Sequence, residues 1–394
     1  MLQYWLWFNN LNEFSRKQKL ELLQQFSDPA QLYRCRDYSV IDNLTQAQLE
    51  QLQDKDLQKA KALYNTCQRK NIGILTLTDE RYPARLRNIS EPPVLLFYKG
   101  LLPDFDKMPA IGVVGTRKAT GYGLGVARDF GKQLSTCGGL VVSGGAAGID
   151  SAALHGALEA QGQTVAVLGC GVDVVYPRNN RKLFMDIQER GCLLSEYLPG
   201  TEPKPWQFPE RNRIISGLSN GVLVIEAPAK SGALITARDA LEQGRDVYAV
   251  PANIDMPTCE GSNALLGDGA AAVFTGWDIL KVYAAQYPNT VVFRKIGTPA
   301  PELRVAQPEQ IFVPDKKVVD NPDLNSYSVK IDEEISLTLA EEKVLSVLTR
   351  TPKAMDEVMA QLDMPAGEVL KIITKLSLEG LVVNHPGRMV SLRK

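Results

Sequence analysis

The sequence is poor in the residues that bind metals and transfer protons in catalysis. It has two histidines, His155 and His385, and six cysteines, none of which forms a C-x-x-C pair. A zinc site needs several such ligands at close spacing, and a Ser-His-Asp triad needs a histidine placed beside its nucleophile. The sequence therefore predicts no metal site and no catalytic triad.

The chain also carries almost no net charge and has no long apolar run. Its 394 residues carry 44 Lys and Arg against 45 Asp and Glu, so any binding of nucleic acid must come from a local patch of charge. No segment approaches the ~20 apolar residues that span a bilayer. The N-terminal MLQYWLWFNN has no basic region and too short an apolar run for a signal peptide. We expect a cytoplasmic protein without membrane contact.

Two common nucleotide-binding motifs are missing. A dinucleotide fold needs G-x-G-x-x-G directly after its first strand, but the chain reads GTRKATGYG after 110–114. The phosphate-binding motif G-x-x-x-x-G-K-[ST] is absent as well. These absences argue against NAD or sugar-nucleotide binding, so no cofactor is predicted, although an unusual nucleotide site stays open.

What the chain does contain is a regular alternation of short apolar segments and helix-forming stretches. Strands are predicted at 110–114, 140–142, 164–168, 193–194, 222–225 and 247–250, and helices near 121–136, 149–161, 179–189, 209–217 and 232–243. This spacing is typical of an α/β fold with a doubly wound parallel sheet, because right-handed crossovers place helices on both faces. Ligands of such sheets bind at the carboxyl ends of the strands.

The segments on either side of this core have different patterns. Residues 1–71 predict small helices, whereas 72–98 predict a leading strand and a proline-braced crossover. Residues 286–335 hold six prolines without sustained periodicity, which is typical of a linker. Residues 336–394 predict three helices and a β hairpin, as in a winged helix. The predicted domains are thus 1–71, 72–285 and 336–394, with the linker 286–335.

The chain is organised around GLVVSGGAAGIDSAALHGAL, residues 139–158. A buried strand leads through Ser143, Gly144, Gly145 and Gly148 into a helix. Backbone N–H groups at the positive end of a helix dipole bind anions, most often phosphate. The alternative is that the glycines only allow tight packing of strand against helix, and a single loop of this kind does not decide between them.

Cations and aromatic rings follow the other predicted strands. The cations are Arg117, Lys118, Arg178, Arg181, Lys182, Arg211, Arg213 and Lys230, and the rings are Tyr122, Tyr176, Phe184, Trp206 and Phe208. Cations for phosphates and rings for bases make up a groove for single-stranded nucleic acid. Some of the rings must belong to the core, and we expect these to be Phe184 and Phe208. Each charge alone could equally be a solvated surface residue.

Together, these segments resemble the DNA-processing protein A family (DprA, also called Smf). The matching segments include VVGTRKATGYG, VSGGAAGIDSAALHGAL, VAVLGCGVDVVYPRNN, FPERNRIISGLS and VLVIEAPAKSGALITARDALEQGRDVYAVPANID, in the family's order. The resemblance implies a Rossmann-like core that binds single-stranded DNA and forms a homodimer, with a helical, SAM-like N-terminal domain and a winged-helix C-terminal domain. It also implies that the protein protects incoming DNA and helps to load the RecA recombinase during natural transformation.

The same resemblance implies that Arg117 and Arg178 line a DNA pocket, with further contacts from the SGGAAG amides and from the turn after Lys230. Combined with the loop argument, it gives one set of predicted DNA-binding residues. The set is Arg117, Ser143, Gly144, Gly145, Gly148, Arg178, Arg211, Arg213, Lys230, Ser231 and Gly232.

Two alternatives to a non-enzymatic DNA-binding protein remain. One is a nucleotide-processing hydrolase resembling the LOG-type phosphoribohydrolases, but their PGGxGTxxE segment is replaced here by EAPAKSGALITA. Among the candidate acids, Asp150 begins a helix and Glu226 ends a strand, so ordering of loops explains both as well as catalysis does. The other alternative is a transcription regulator acting through the winged helix. Residues 336–394 carry only one net positive charge, which argues against sequence-specific duplex binding.

Overall fold

The structure is a computed structural model, and the chain divides into two compact units, Met1–Ile311 and Phe312–Lys394. It describes residues 1–294 and, in the second unit, residues 344–349, 353–362, 364, 369, 372–373, 376, 382–385 and 389–392.

The first unit is built on a nine-stranded sheet. In chain order the strands are β1 (Gly73–Thr76), β2 (Leu95–Gly100), β3 (Ala110–Val114), β4 (Leu140–Ser143), β5 (Thr164–Val167), β6 (Cys192–Ser195), β7 (Gly221–Val224), β8 (Asp246–Ala249) and β9 (Ala271–Ala272). Their order across the sheet is β1-β2-β6-β5-β4-β3-β7-β8-β9. The seven strands from β6 to β9 in this order pair in parallel, whereas β1 and β2 are antiparallel to their neighbours. The predicted parallel sheet is confirmed, with an antiparallel extension at one edge.

Helices cover both faces of this sheet. They are α1 (Leu2–Asn9), α2 (Arg16–Phe26), α3 (Pro29–Arg34), α4 (Gln46–Gln53), α5 (Gln58–Arg69), α6 (Ala84–Arg87), α7 (Gly121–Thr136), α8 (Ile149–Glu159), α9 (Arg181–Arg190), α10 (Gln207–Leu218), α11 (Gly232–Glu242), α12 (Glu260–Gly267) and α13 (Gly276–Tyr283). Every residue of β3, β4, β5, β6 and β7 is buried, as expected for parallel strands packed on both faces. No helix in the described parts of either unit is long and apolar enough to cross a lipid bilayer.

The order of the strands reverses beside β3. From β3 the chain adds β4, β5 and β6 on one side, and it then returns to place β7 on the other side. Loops after β3 and β7 diverge at such a reversal and leave a crevice at the carboxyl ends of the strands. The topology therefore locates a ligand site beside the loop after β3.

The N-terminal helices pack against the sheet and are not separated from it. Trp5, Leu6 and Phe8 of α1 are buried in one hydrophobic cluster with Leu95 and Phe97 of β2. This cluster covers β2, the strand next to the edge strand β1. Residues 1–71 thus form a helical layer within the first unit.

The core extends further along the chain than predicted. Tyr287 and Val291 are buried in the same cluster as the central helices, and the Thr290 hydroxyl donates to the carbonyl of Lys107 at 3.0 Å. The predicted start of the linker at residue 286 is therefore wrong, because apolar side chains up to 291 belong to the core. Residues 295–335 of that linker lie outside the described part of the chain.

The described residues of the second unit agree with the winged-helix prediction. Residues 344–347 and Met355–Ala360 are helical, and Val369, Ile372, Ile373 and Leu376 are helical and buried at the spacing of one helix face. Strands β10 (Lys353–Ala354), β11 (Val382–His385) and β12 (Met389–Leu392) form an antiparallel sheet in the order β10-β12-β11. The two-residue strand β10 was not predicted.

Candidate functional site

A cleft of about 610 Å³ opens at the crevice predicted by the topology. We call it the strand-end cleft, and its walls are the loops after β3, β4, β5, β6 and β7 together with the N-terminal parts of α10 and α11. The residues that line it include Thr116, Arg117, Lys118, Ala146, Asp150, Tyr176, Pro203, Pro205, Phe208, Pro209, Arg211, Asn212, Lys230, Ser231 and Gly232. A smaller pocket of about 110 Å³ adjoins it and shares Arg117, Ala146, Tyr176 and Phe208 with it.

Three exposed cations line the strand-end cleft. Arg117 and Lys118 follow β3, and Lys230 precedes α11, on the opposite wall. Within residues 1–294, none of the three lies within 4.0 Å of a carboxylate oxygen, since the ion pairs there involve other side chains. Their positive charges are therefore available to bind an anionic ligand in the cleft.

The Arg117 side chain is held by an aromatic pair. Its guanidinium carbon lies 5.0 Å from the centre of the Phe208 ring, and the Phe208 and Tyr176 ring centres are 5.4 Å apart. A guanidinium over a ring face is stabilised by the ring quadrupole. The expectation that Phe208 belongs to the core is therefore wrong, because α10 starts at Gln207 and places Phe208 in the wall of the cleft. Phe184, in contrast, is buried in the core as expected.

Amides of the glycine-rich loop after β4 already bind a carboxylate of the protein itself. The Asp150 carboxylate accepts hydrogen bonds from the amides of Gly144 at 3.1 Å and Ala146 at 3.4 Å. Burial raises the pKa of the Asp150 carboxyl, and the nearby guanidinium of Arg211 opposes that rise. These two amides are satisfied within the protein, so the loop does not present the bare phosphate cradle that the sequence suggested.

Arg211 lies beneath the cleft, where its side chain is used internally. It is only 4% exposed, and its guanidinium donates to the carbonyl of Gly144 at 2.7 Å and to that of Val167. Burial lowers its pKa to about 10, against the opposing effect of Asp150. Because Gly144 follows β4 and Val167 ends β5, Arg211 ties the carboxyl ends of two neighbouring strands together.

Arg213 and Ser143 were predicted in the site, but the structure places both elsewhere. Arg213 pairs with Glu196 at 2.8 Å and does not line the cleft. The Ser143 hydroxyl is buried and donates to the carbonyl of Val113 at 2.6 Å, which bridges β4 to β3. Both side chains stabilise the sheet and its helices.

Arg178 lies next to the cleft rather than in its wall. It is exposed on the short turn Arg178–Asn180 that follows Tyr176 and Pro177. The Asn180 side-chain amide of this turn donates to the carbonyl of Gly145 at 3.0 Å. Arg178 is therefore anchored beside the glycine-rich loop, with its charge in solvent.

The turn before α11 forms the opposite wall. Ser231 is the N-cap of α11, and its hydroxyl accepts a hydrogen bond from the amide of Ala233 at 3.3 Å. Asn212, which the sequence argument missed, lines the cleft and donates to the carbonyl of Gly232 at 3.3 Å. Its position between Arg211 and Arg213 in FPERNRIISG could have indicated that it belongs to the site.

The candidate acid Glu226 is also structural. Its buried carboxylate accepts hydrogen bonds from the amide of Thr120 at 3.1 Å and from its hydroxyl at 3.0 Å, just before α7. It does not line the cleft. Among the described residues, no group of three or more His, Cys, Asp or Glu side chains could hold a metal ion.

Known sequence families match most of the chain. The DNA recombination-mediator protein A family matches residues 73–284, and the DprA winged helix domain matches residues 332–388. Protein Smf of Synechocystis sp. is 36% identical over 332 residues, which cover 81% of this chain and 80% of that protein.

Two solved structures share the fold. DNA processing protein A of Streptococcus pneumoniae superposes with a TM-score of 0.61 at 35% identity and covers 71% of this chain and 98% of that one. DNA processing protein A of Helicobacter pylori, studied for its single-stranded DNA binding mode, gives a TM-score of 0.50 at 29% identity. That alignment covers 55% of this chain and 97% of the other.

Proposed function

This chain belongs to the DNA-processing protein A family, and from that premise we propose that it binds single-stranded DNA, without sequence preference, in the strand-end cleft. The observation that carries the proposal is a cleft lined by Arg117, Lys118 and Lys230, none of which forms an ion pair with a carboxylate of residues 1–294, together with the aromatic pair Tyr176 and Phe208. We propose that Arg178 extends this charge beyond the cleft. The Helicobacter pylori relative, studied for single-stranded DNA binding, supports the same ligand.

The composition of the cleft explains why single strands would fit it. Phosphates are attracted by exposed cations, and every base has a face that stacks on an aromatic ring. The exposed ring of Tyr176 lies beside Phe208 and offers such a surface. A duplex keeps its bases stacked inside, so it cannot use the rings and keeps only the charge contacts.

We propose that the protein acts by binding and not by catalysis. The hydrolase alternative needs an acid in the cleft, but Glu226 is turned toward α7 and Asp150 is bound by the amides of Gly144 and Ala146. Both carboxylates are engaged in holding the loops in place. We therefore expect no release of base or phosphate from nucleoside monophosphates.

We further propose that the protein protects incoming DNA and helps to load the RecA recombinase during natural transformation, as a homodimer formed through its Rossmann-like core. Family membership supports the recombination role. The exposed two-residue edge strand β9, with the 74% exposed Phe274 two residues after it, is compatible with a dimer contact. Sedimentation of the purified protein distinguishes a dimer from a monomer.

Binding is measured by fluorescence anisotropy of a labelled oligothymidine across a range of salt concentrations. Arg117→Ala and Arg178→Ala each lower the affinity for all base sequences alike. Each also reduces the slope of log K against log salt by about 0.7 per lost phosphate contact. Arg238→Ala is the control, because this exposed arginine lies on α11 six residues beyond its first residue and pairs with Glu242.

Three outcomes would contradict parts of this proposal. An unchanged slope in both Arg117→Ala and Arg178→Ala excludes these residues from the site. Equal affinity for duplex and single strand contradicts the role of the rings, and a result in which the isolated second unit carries the affinity favours the winged helix as the DNA-binding element.

A further inference from the structure

An exposed tryptophan lies at the rim of the strand-end cleft. Trp206 directly precedes α10 and is 52% exposed, whereas Trp5 and Trp7 are buried at 5% each. In the chain it follows Pro205 and comes two residues before Phe208, both of which line the cleft. Trp206 therefore adjoins the wall of the cleft, next to the surface on which we propose that a single strand binds.

The Trp206 ring is held in place from one side. It lies nearly perpendicular to the ring of Tyr197, with ring centres 6.2 Å apart and an interplanar angle of 76°. The Tyr197 hydroxyl lies 3.4 Å from the carbonyl of Gln207 and 3.5 Å from a carboxylate oxygen of Glu210, both on α10. Tyr197 thus restrains the Trp206 ring beside α10, and about half of the Trp206 side chain remains exposed to solvent.

The N-terminal helices support this arrangement. Arg16, at the start of α2, pairs with Glu210 at 2.6 Å and with Glu196 at 3.4 Å. These are the carboxylates on either side of Tyr197: Glu196 directly precedes it in the chain, and Glu210 contacts its hydroxyl. The helical layer therefore secures the loop and the helix that hold Trp206.

We propose that Trp206 is a stacking platform for one nucleobase of the bound strand at the rim of the strand-end cleft, and that Arg16 of α2 positions it. This rests on the proposed function, since it assumes that the cleft binds a single strand. A tryptophan side chain that is 52% exposed leaves part of its ring surface accessible, and stacking on an aromatic ring accepts any base. The assignment also gives the N-terminal helical layer a part in binding.

The first test uses the fluorescence of Trp206 itself. Oligothymidine quenches the emission of the full-length protein, and Trp206→Phe removes the quenching while it keeps the affinity within about threefold because a phenyl ring still stacks. Trp206→Ala weakens binding roughly 5- to 150-fold, the fold-change equivalent of losing one stacked base. Its salt dependence is unchanged, unlike that of Arg117→Ala, because no phosphate contact is lost.

The second test varies the ligand. An oligonucleotide of abasic sugar phosphates binds wild type and Trp206→Ala equally, since it has no base to stack. Arg16→Ala lowers the quenching at saturation, whereas the control Lys17→Ala does not, because exposed Lys17 pairs only with Glu21 among the described residues. Thermal unfolding of each variant confirms that the fold is intact.

The outcomes separate the two proposals. If anisotropy shows that wild type binds oligothymidine but Trp206→Ala binds equally well, or the emission does not change, the platform is wrong and the proposed function stands. If Trp206→Ala weakens the abasic and thymidine ligands alike, the loss is not stacking and the platform is again wrong. If wild type binds no single strand at all, the proposed function itself fails.

Discussion

Replacing Arg211 by methionine separates folding from binding at this site. Arg211 is buried beneath the strand-end cleft, where it donates to the carbonyls of Gly144 and Val167 and lies close enough to Asp150 to lower the pKa of that carboxyl. Methionine fills much of the same volume but carries neither the charge nor the donors. The substitution therefore leaves two carbonyls without their donor and Asp150 without its compensating charge.

The expected cost follows from these lost interactions. Breaking a buried ion pair in direct contact costs about 3–5 kcal/mol, which is the upper range for leaving Asp150 without the charge of Arg211, and an unpaired buried carbonyl costs about 1–3 kcal/mol where water does not replace the donor. The cleft above Arg211 admits water, so we expect a total near the charge contribution, about 3–5 kcal/mol. At roughly 2–4 °C per kcal/mol for a unit of this size, the thermal midpoint falls by about 6–20 °C.

The loss depends on pH through Asp150. Burial raises the pKa of the Asp150 carboxyl. Ionisation of Asp150 therefore lowers the free energy of unfolding as the pH rises through this native pKa, and the loss is absent at lower pH. Without Arg211, ionisation of Asp150 lowers the free energy of unfolding by a larger amount. The difference between wild type and Arg211→Met is therefore largest at neutral pH and shrinks toward acid. Adding Asp150→Asn to Arg211→Met restores part of the loss, because the uncompensated charge is gone.

The assay is thermal unfolding of the wild type, both single variants and the double variant at pH 5 and pH 8, with oligothymidine affinity measured on the folded protein. Arg117→Ala is the matched control, since its exposed side chain contributes to binding and little to stability. If Arg211→Met unfolds with the wild-type midpoint but binds DNA poorly, Arg211 is a ligand residue and the structural assignment is refuted.

Two further substitutions test other residues around the cleft. Gly148→Val abolishes folding, because the φ of Gly148 is +86° and a Cβ there would lie 2.3 Å from the carbonyl oxygen of Thr116; Gly232→Ala, where a Cβ meets nothing within 4 Å, is the control, and a folded Gly148→Val protein contradicts the clash. Glu226→Gln lowers the thermal midpoint by a few degrees without changing DNA affinity, because the carboxylate that Thr120 binds before α7 is lost. Nucleotide turnover by wild type that disappears in Glu226→Gln favours the hydrolase alternative.

The sheet could be predicted because parallel strands that are buried on both faces form continuous apolar runs. All six predicted strands between β3 and β8 are present, and β3 has the predicted bounds. The two-residue strands β9 and β10 were not predicted, because so short a segment has no periodicity to detect. The end of the core was placed too early because prolines such as Pro288 indicate a linker, while Tyr287 and Val291 around it are buried.

The loops of the site could be predicted, but the direction of their side chains could not. Arg211 and Arg213 are both cations in one motif, yet residues two positions apart on a helix point about 200° apart, so at most one of them can face the cleft. Asp150 is in the first turn of α8, a position that indicates helix capping. Nothing in the sequence showed that its carboxylate reaches the amides of Gly144 and Ala146, which were expected to bind phosphate.

The part played by the second unit is tested by ending the chain after Arg294. A cut near residue 290 would remove Val291, which is buried in the core of the first unit, so the later cut is the one that leaves the core whole. Residues 336–394 carry eight Lys or Arg and seven Asp or Glu, a balance that offers little attraction to phosphates. We expect the shortened protein to fold and to bind oligothymidine within about tenfold of the full chain, or ~1.4 kcal/mol. A loss of several orders of magnitude, together with duplex binding by the isolated fragment 336–394, would instead assign DNA binding to the winged helix. In that case Arg117 and Trp206 would have to be reconsidered as parts of a surface with another ligand.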